Sequence, residues 1–324
     1  MNNSRREFLE STLRAVGGAV ATGLLVGLPQ RSPAEDRPTI VDCHTHFYDP
    51  TRPEGVPWPG KDDSALYRPV LPKHFLEQAA PLGVTKTVVV EASPWVADNA
   101  WLLDLAAKNP AIVGVVGNLT PGEPDFAQHL KRFAANKLYR GIRINHGLLK
   151  SGLDQPMFLA DVRRLAENDL ELDINGGPEM PADVARLADK LPELRIVINH
   201  LGNVDIDGSP PPKAWVEGMQ AAAKHPRVFC KVSALVEHAK LKSSATDKTA
   251  KVPDDVEFYR PILDAIWRAF GDDRLIYGSN WPVSDRFASY RTLFSIVNKY
   301  VEARGRAVTE KFFAKNSQAA YRWR

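Results

Sequence analysis

Two histidines and an aspartate alternate near the start of the chain, in the segment Asp42-Cys43-His44-Thr45-His46, which follows a short apolar run. Alternate side chains of a β-strand share one face, so this spacing predicts that Asp42, His44 and His46 point the same way. Imidazole and carboxylate groups that converge at a strand end can bind a metal ion or transfer protons. The alternative is a pair of solvated turn histidines. We favour a site, because residues just beyond strand ends often carry function.

Short β-branched runs alternate with helix-period segments eight times along the chain. This pattern predicts a single α/β domain, a (β/α)8 TIM barrel of parallel strands. The alternative is an open doubly wound sheet, which usually has fewer strands, and no glycine-rich dinucleotide fingerprint follows any run. The predicted strands are residues 39–42, 87–91, 112–117, 141–144, 171–174, 195–199, 228–232 and 275–277. The predicted helices are residues 73–81, 99–108, 125–136, 156–168, 181–191, 213–224, 256–270 and 287–303.

Every predicted strand is followed by a polar or ionisable residue. The carboxyl ends of barrel strands form one rim, where catalytic residues collect. We therefore expect these side chains to surround one pocket. They are Asp42, His44 and His46, then Glu91, Asn118, Arg143 with Asn145, Asn175, His200, Lys231 with Ser233, and Asn280.

The first 34 residues resemble a targeting segment rather than part of the domain. Arg5 and Arg6 form a twin-arginine pattern, and a weakly apolar, glycine-rich run follows at residues 15–28. That run is too short for a good membrane span. We expect recognition by the twin-arginine translocation machinery, a periplasmic or otherwise exported barrel of residues 35–324, and no membrane contact after removal of the signal. A retained anchor and a frayed cytoplasmic N-terminus are the alternatives.

Charge and cysteine content exclude several classes of protein. The whole chain has a net charge of +3, and residues 1–34 hold four arginines and two glutamates, so the remainder carries +1. This balance gives no reason to expect nucleic acid or anionic membrane as a partner. Only Cys43 and Cys230 are present, so there is no disulfide framework.

The motifs at the strand ends resemble those of the amidohydrolase superfamily. The resemblance extends over residues 39–324 and is to the branch of TIM-barrel hydrolases that contains 2-pyrone-4,6-dicarboxylate lactonase and sugar-acid lactonases. The residues that carry it are 40–47, 141–143, 199–202, 230–233 and 277–282. It implies an enzyme that acts on a carboxylic ester or lactone.

The chain departs from this family where metal ligands are expected. Metal-binding relatives add a histidine after strand five and an aspartate after strand eight, and this chain has Asn175 and Asn280 there. The remaining candidate ligands are His44 and His46, with His200 as a third, and three histidines can hold a catalytic zinc. The lactonase branch works without a metal. The resemblance therefore implies either no cofactor or one divalent ion such as zinc.

Asn280 raises the question of the general base. In relatives an aspartate at that place takes a proton from the attacking water, whereas an amide has no useful proton affinity. The candidates for the base are His200, His44 or His46, Glu91 and Asp285. Asp285 is equally a candidate N-cap of the helix predicted to begin at residue 287.

The other rim residues have candidate roles with structural alternatives. Arg143 could clamp a substrate carboxylate or form an ion pair within the barrel. His44 and His46 could polarise the ester carbonyl, and His200 could hold water. Lys231 could steady an anionic leaving group or form an interior salt bridge. Further candidates for substrate binding are Glu91, Asn175 and Trp281.

Three functions remain open from these residues. The first is an exported hydrolase that opens a lactone or ester of a sugar acid or carboxylated ring, with a small, anionic substrate. The second is a metal-dependent decarboxylase, and the third is a non-catalytic carbohydrate-binding barrel. Long loops at residues 48–72, 204–212 and 237–253 are expected to wall the pocket. The last is rich in lysine, which would either attract an anion or form a solvated charge run.

Overall fold

The computed structural model describes residues 39–240 and 252–324. Eight parallel strands form one sheet in sequence order. They are β1 (Ile40–Thr45), β2 (Val84–Val90), β3 (Ile112–Gly117), β4 (Tyr139–Asn145), β5 (Glu171–Asn175), β6 (Arg195–Ile198), β7 (Val228–Val232) and β8 (Leu275–Tyr277).

The two edges of the sheet meet and close the barrel. The His46 amide donates to the Trp281 carbonyl at 2.9 Å, and the Asn280 amide donates to the His44 carbonyl at 2.8 Å. These bonds join the end of β1 to the segment that follows β8. The predicted TIM barrel is therefore confirmed for the domain.

Helices connect the strands and cover the outside of the sheet. They are α1 (Pro72–Ala79), α2 (Asp98–Ala107), α3 (Phe126–Ala134), α4 (His146–Gly152), α5 (Pro156–Glu167), α6 (Met180–Lys190), α7 (Lys213–Ala223), α8 (Val256–Phe270), α9 (Tyr290–Glu302), α10 (Arg306–Glu310) and α11 (Asn316–Tyr321). The short helix α4 was not predicted. Helix α9 begins three residues later than predicted because the Ser289 hydroxyl caps it, accepting from the Thr292 amide.

Apolar side chains fill two separate regions of the domain. The larger cluster lies between the sheet and the helices. The smaller one fills the barrel interior, where valines of β1, β2 and β3 meet Phe229 of β7 and Tyr321 and Trp323 of the C-terminal segment. Strands that are buried on both faces are typical of parallel barrels. The interior is therefore solid below the rim.

A bulge in β1 changes the direction of Asp42. Between the pairs Asp42–Thr87 and Thr45–Val89, two residues of β1 oppose one residue of β2. The bulge interrupts the alternation of side chains. The Asp42 carboxylate accepts from the Ser279 amide at 2.9 Å and from the Tyr290 hydroxyl on α9 at 3.0 Å. The prediction that Asp42 shares a face with His44 and His46 is therefore wrong, and Asp42 instead ties β1 to the segment after β8.

Two parts of the sequence interpretation lie outside the described residues. The signal segment 1–34 is one, and most of the lysine-rich loop at residues 241–251 is the other. Across residues 39–240 and 252–324, no helix has the length and apolar character that crossing a membrane requires.

Candidate active site

The carboxyl ends of the strands surround a pocket of about 420 Å³. It is lined by side chains at or just beyond the ends of seven strands, all except β3. Its polar lining includes His46, Glu91, Arg143, Asn175, His200, Asn203, Glu237, His238, Asn280 and Arg286. The structure thus brings together six of the candidates named from the sequence: His46, Glu91, Arg143, Asn175, His200 and Asn280.

His44 lies at the base of this pocket, fully buried between the other two histidines. Its ring centroid is 5.0 Å from that of His46 and 4.3 Å from that of His200. Lys231 Nζ approaches His44 Nδ1 at 3.2 Å. An ammonium group only donates, so His44 Nδ1 accepts and the ring proton is on Nε2. That buried Nε2–H has no hydrogen-bond partner among the described residues.

The other two histidines are also held by hydrogen bonds at Nδ1. His46 Nδ1 donates to the Val90 carbonyl at 2.9 Å, and His200 Nδ1 pairs with the Ser233 hydroxyl at 2.8 Å. Burial lowers the pKa of His46 to about 3, and lowers the pKa values of His44 and His200 well below the usual range. All three rings are therefore neutral at neutral pH, and the His46 lone pair is on Nε2.

Arg143 and Glu91 form an ion pair on one wall of the pocket. Arg143 Nε donates to Glu91 Oε1 at 2.8 Å, and Nη2 donates to the Glu91 carbonyl at 2.8 Å. The two contacts orient the guanidinium, and the pair lines the pocket. The remaining N–H groups can still donate to an oxygen of a bound molecule.

Lys231 lies below the pocket rather than in its wall. It is fully buried, and its Nζ is 2.5 Å from Asp173 Oδ2. Tyr321 of the C-terminal segment donates to Asp173 Oδ1 at 2.9 Å. This is the interior salt bridge that the sequence offered as the alternative to a leaving-group contact. Through His44, the pair fixes the proton position of one rim histidine.

Asn280 joins two sides of the pocket. Its Oδ1 is 3.2 Å from His46 Nε2, and its Nδ2 donates to Glu237 Oε1 at 3.0 Å. Glu237 was not singled out from the sequence, because it lies in the lysine-rich loop five residues beyond β7. Burial raises the pKa of Glu237 to about 7. The only sequence signal that could have found it is an acidic residue in a long βα loop.

The backbone around these residues is unusual. His200, Ala234 and Asn280, which follow β6, β7 and β8, have φ values of 53°, 53° and 62°. Left-handed conformations cost energy in residues other than glycine and cluster at functional sites. The ends of the last three strands are thus bent so that His200 and Asn280 face the pocket.

Two further candidates named from the sequence, Asp285 and Trp281, do not reach the pocket wall. Asp285 lies in a 3-10 turn (Val283–Arg286) and pairs with Arg68 at 3.3 Å. It is not the cap of α9, because Ser289 is. Trp281 is fully buried and packs against Phe47 and Phe75 behind the pocket. Its large side chain fills space where β1 and β8 meet.

The histidines do not fit a tightly bound metal ion as they are arranged. A histidine ligand needs a free lone pair, but the His44 lone pair already accepts from Lys231, and the group beside His46 Nε2 is the neutral amide oxygen of Asn280 rather than a carboxylate. In the part of the chain that the structure describes, no three His, Cys, Asp or Glu residues are grouped to hold a metal. The rim histidines and their described neighbours therefore do not form the superfamily's metal centre.

Comparison with known proteins agrees with the fold. An L-fucono-1,5-lactonase of Burkholderia ambifaria is 31% identical over 246 residues, which are 75% of this chain and 80% of that protein. A second L-fucono-1,5-lactonase, from Burkholderia multivorans, is 30% identical over 275 residues, 82% of this chain and 89% of that protein. Crystal structures of an amidohydrolase from Burkholderia multivorans, one with bound HEPES and one with bound zinc, match with TM-score 0.76 and 26% identity over 88% of this chain and 100% of theirs.

The family model described as Amidohydrolase matches residues 41–323, from β1 to the end of the C-terminal segment. That range contains the whole barrel and every strand end that lines the pocket. The chain therefore belongs to the amidohydrolase family, and the resemblance seen in its motifs is confirmed.

Proposed function

We propose that this enzyme opens the ring of a sugar-acid lactone by hydrolysis. The observation that carries the proposal is the pocket itself, in which two guanidinium groups and several amide and imidazole groups surround about 420 Å³ at the barrel rim. Such a lining suits a small molecule with many hydroxyl groups. The two L-fucono-1,5-lactonases among the relatives support the same substrate class.

Arg143 has the charge that lactone opening requires. Negative charge develops on the carbonyl oxygen during attack by water and remains on the product as a carboxylate. Arg143 is a cation in the pocket wall, held in place by two hydrogen bonds to Glu91. Donors that are already oriented toward developing charge are a large source of catalysis. The neutral rings of His200 and His46 add positions that bind hydroxyl groups or water.

The alternatives differ in what they require. A metal-dependent decarboxylase needs a metal site that the histidines, as arranged, do not form. A non-catalytic carbohydrate-binding barrel would bind sugars and release no acid. Acid release from a panel of five- and six-membered aldonolactones, corrected for spontaneous hydrolysis, therefore tests the proposal. We expect saturable release from at least one six-membered lactone. Sugar binding by calorimetry without acid release from any lactone would overturn it.

We also propose that residues 1–34 direct export through the twin-arginine pathway. The support is the Arg5–Arg6 pair ahead of a weakly apolar, glycine-rich run. Replacing both arginines by lysine should leave the protein in the cytoplasm of a fractionated cell, while the matched change Arg14→Lys should not. Unchanged export of the double variant would refute the proposal.

A further inference from the structure

We propose that Glu237 is the general base that activates water in this pocket, and that Asn280 positions its carboxylate. The inference rests on the proposed lactone hydrolysis and supplies the proton acceptor that residue 280, as an amide, lacks. In effect, the carboxylate expected after β8 is replaced by one that follows β7.

The geometry places Glu237 where a base must act. Its side chain lines the same pocket as His200, Arg143 and Asn280. Oε1 accepts from Asn280 Nδ2 at 3.0 Å. Oε2 is buried and has no hydrogen-bond partner in the described ranges. One oxygen is therefore held in place, and the other has free lone pairs.

The other acidic candidates are engaged elsewhere. The Glu91 carboxylate is already engaged by the Arg143 guanidinium, whose Nε and Nη2 both lie within 2.8 Å of Glu91 Oε1. Asp285 pairs with Arg68 outside the pocket lining. The three histidines hold their protons weakly, since burial lowers their pKa values.

The proton affinity of Glu237 is suited to the role. Burial raises the pKa of Glu237 to about 7, and a base works best when its pKa is near the working pH. The Asn280 amide offsets this effect only in part. The titratable and charged groups that share the pocket or pack nearby are Glu91, Arg143, Arg286, His46, His200, His238 and Tyr259.

Asn280 can serve both protonation states of Glu237. When Glu237 is ionised, Asn280 Nδ2 donates to it, as in the structure. When Glu237 is protonated, a turned amide presents Oδ1 to the carboxylic acid and Nδ2 to the lone pair on His46 Nε2. The oxygen and nitrogen of an amide are nearly equivalent in shape, so this exchange needs no other movement. An aspartate at position 280 could not make both sets of contacts.

The reaction step conserves atoms and protons. Water oxygen bonds to the lactone carbonyl carbon while one water proton passes to Glu237. The ring C–O bond then breaks, and the ring oxygen takes that proton as the alcohol of the open hydroxy acid. Glu237 is left ionised for the next turnover.

The test is the isosteric change Glu237→Gln, assayed across pH on the lactone that the wild type hydrolyses. We expect kcat to fall by about 10²–10⁴, the usual contribution of a general base, while KM changes little. The wild-type rate should rise with pH through about 7, because the base acts only when ionised, and this limb should vanish in the variant. In Glu237→Ala, added formate should restore part of the rate, which a merely structural residue would not allow.

The matched control is Glu257→Gln, an exposed glutamate at the start of α8 that pairs with Arg260. It should keep wild-type kinetics. If Glu237→Gln kept a near-wild-type kcat and the same rise of rate with pH, Glu237 would not be the base. That result would leave the proposed lactone hydrolysis standing. A wild type that opens no lactone would instead remove the proposed function, and the inference with it.

Discussion

The two sides of the pocket each carry one glutamate, in opposite electrostatic settings. On the β2–β4 side, Glu91 lies 2.7 Å from the guanidinium of Arg143. On the β7–β8 side, Glu237 faces the neutral amide of Asn280, and burial raises its pKa to about 7. A cation stabilises the ionised carboxylate, whereas burial next to an amide favours the protonated form. The same residue type thus orients a cation on one side and can exchange a proton on the other.

The backbone conformation also differs between the two sides of the pocket. Glu91 and Arg143 belong to regular strand ends of β2 and β4 and hold each other through a charged pair. His200, Ala234 and Asn280 on the other side have positive φ values. Strain of this kind persists only where surrounding structure enforces it, and here it turns polar side chains into the pocket. Substrate orientation and proton transfer are therefore supported by different structural means.

Arg143→Gln should produce the largest loss on the orienting side. It removes the cation that faces the developing charge, so kcat/KM should fall by about 10²–10³. It also leaves the Glu91 carboxylate without its guanidinium partner, so substrate orientation on this side of the pocket should weaken as well. Steady-state kinetics will measure the first effect. Arg140→Gln, on the same strand but lining a cavity with the C-terminal segment, is the control; an equal loss there would point to general destabilisation.

Asn280→Asp should change the β7–β8 side of the pocket by placing a second carboxyl group next to Glu237. Two carboxyl groups at hydrogen-bond distance resist joint ionisation, so the pKa of one rises. The acid limb of the rate profile should move up by about one pH unit or more, which lowers the rate at pH 7 by about fivefold or more. Asn280→Ala adds no charge but removes the amide donor that lowers the pKa of Glu237, so the limb should move up by less than it does in Asn280→Asp. Faster hydrolysis at pH 7 by Asn280→Asp would show that position 280 is the better place for the base.

Asp285→Asn should have a small effect, because Asp285 lies outside both sides of the pocket. Its ion pair with Arg68 is partly exposed, with 21% and 40% of the two side chains accessible. Such pairs contribute about 0–1 kcal/mol to the free energy of unfolding. We expect a loss within that range in urea denaturation and unchanged kcat. A drop in kcat as large as that of Glu237→Gln would instead identify Asp285 as the base.

Removal of divalent metal should have the smallest effect of all. The His44 lone pair already accepts from Lys231, and no three His, Cys, Asp or Glu residues of the described chain are grouped to hold a metal, so hydrolysis should not depend on a bound ion. Dialysis against EDTA, with metal content measured before and after, should leave kcat/KM unchanged. Loss of activity that zinc restores would show that the histidines rearrange to bind metal.

The strands were well predicted because their signal is local. The bounds of β3, β7 and β8 are those predicted from apolar runs, and β1 and β4 extend further at one or both ends. The rule that function follows strand ends placed His200, Arg143 and Asn280 in one pocket. The same rule missed Glu237, which is five residues beyond β7. It also named Trp281 as a candidate for substrate binding, although Trp281 packs behind the pocket. Packing depends on distant residues and leaves no local pattern.

By itself, the sequence determined the order of elements and the residue types at the rim, because strand and helix periodicities are properties of short segments. Only the tertiary structure decided what each of those residues does. The decisive partners are far apart in the chain: 52 residues between Glu91 and Arg143, 43 between Glu237 and Asn280, and 187 between His44 and Lys231. Burial and the nearest charge set whether a carboxylate or an imidazole holds a proton, and both arise only when the barrel closes.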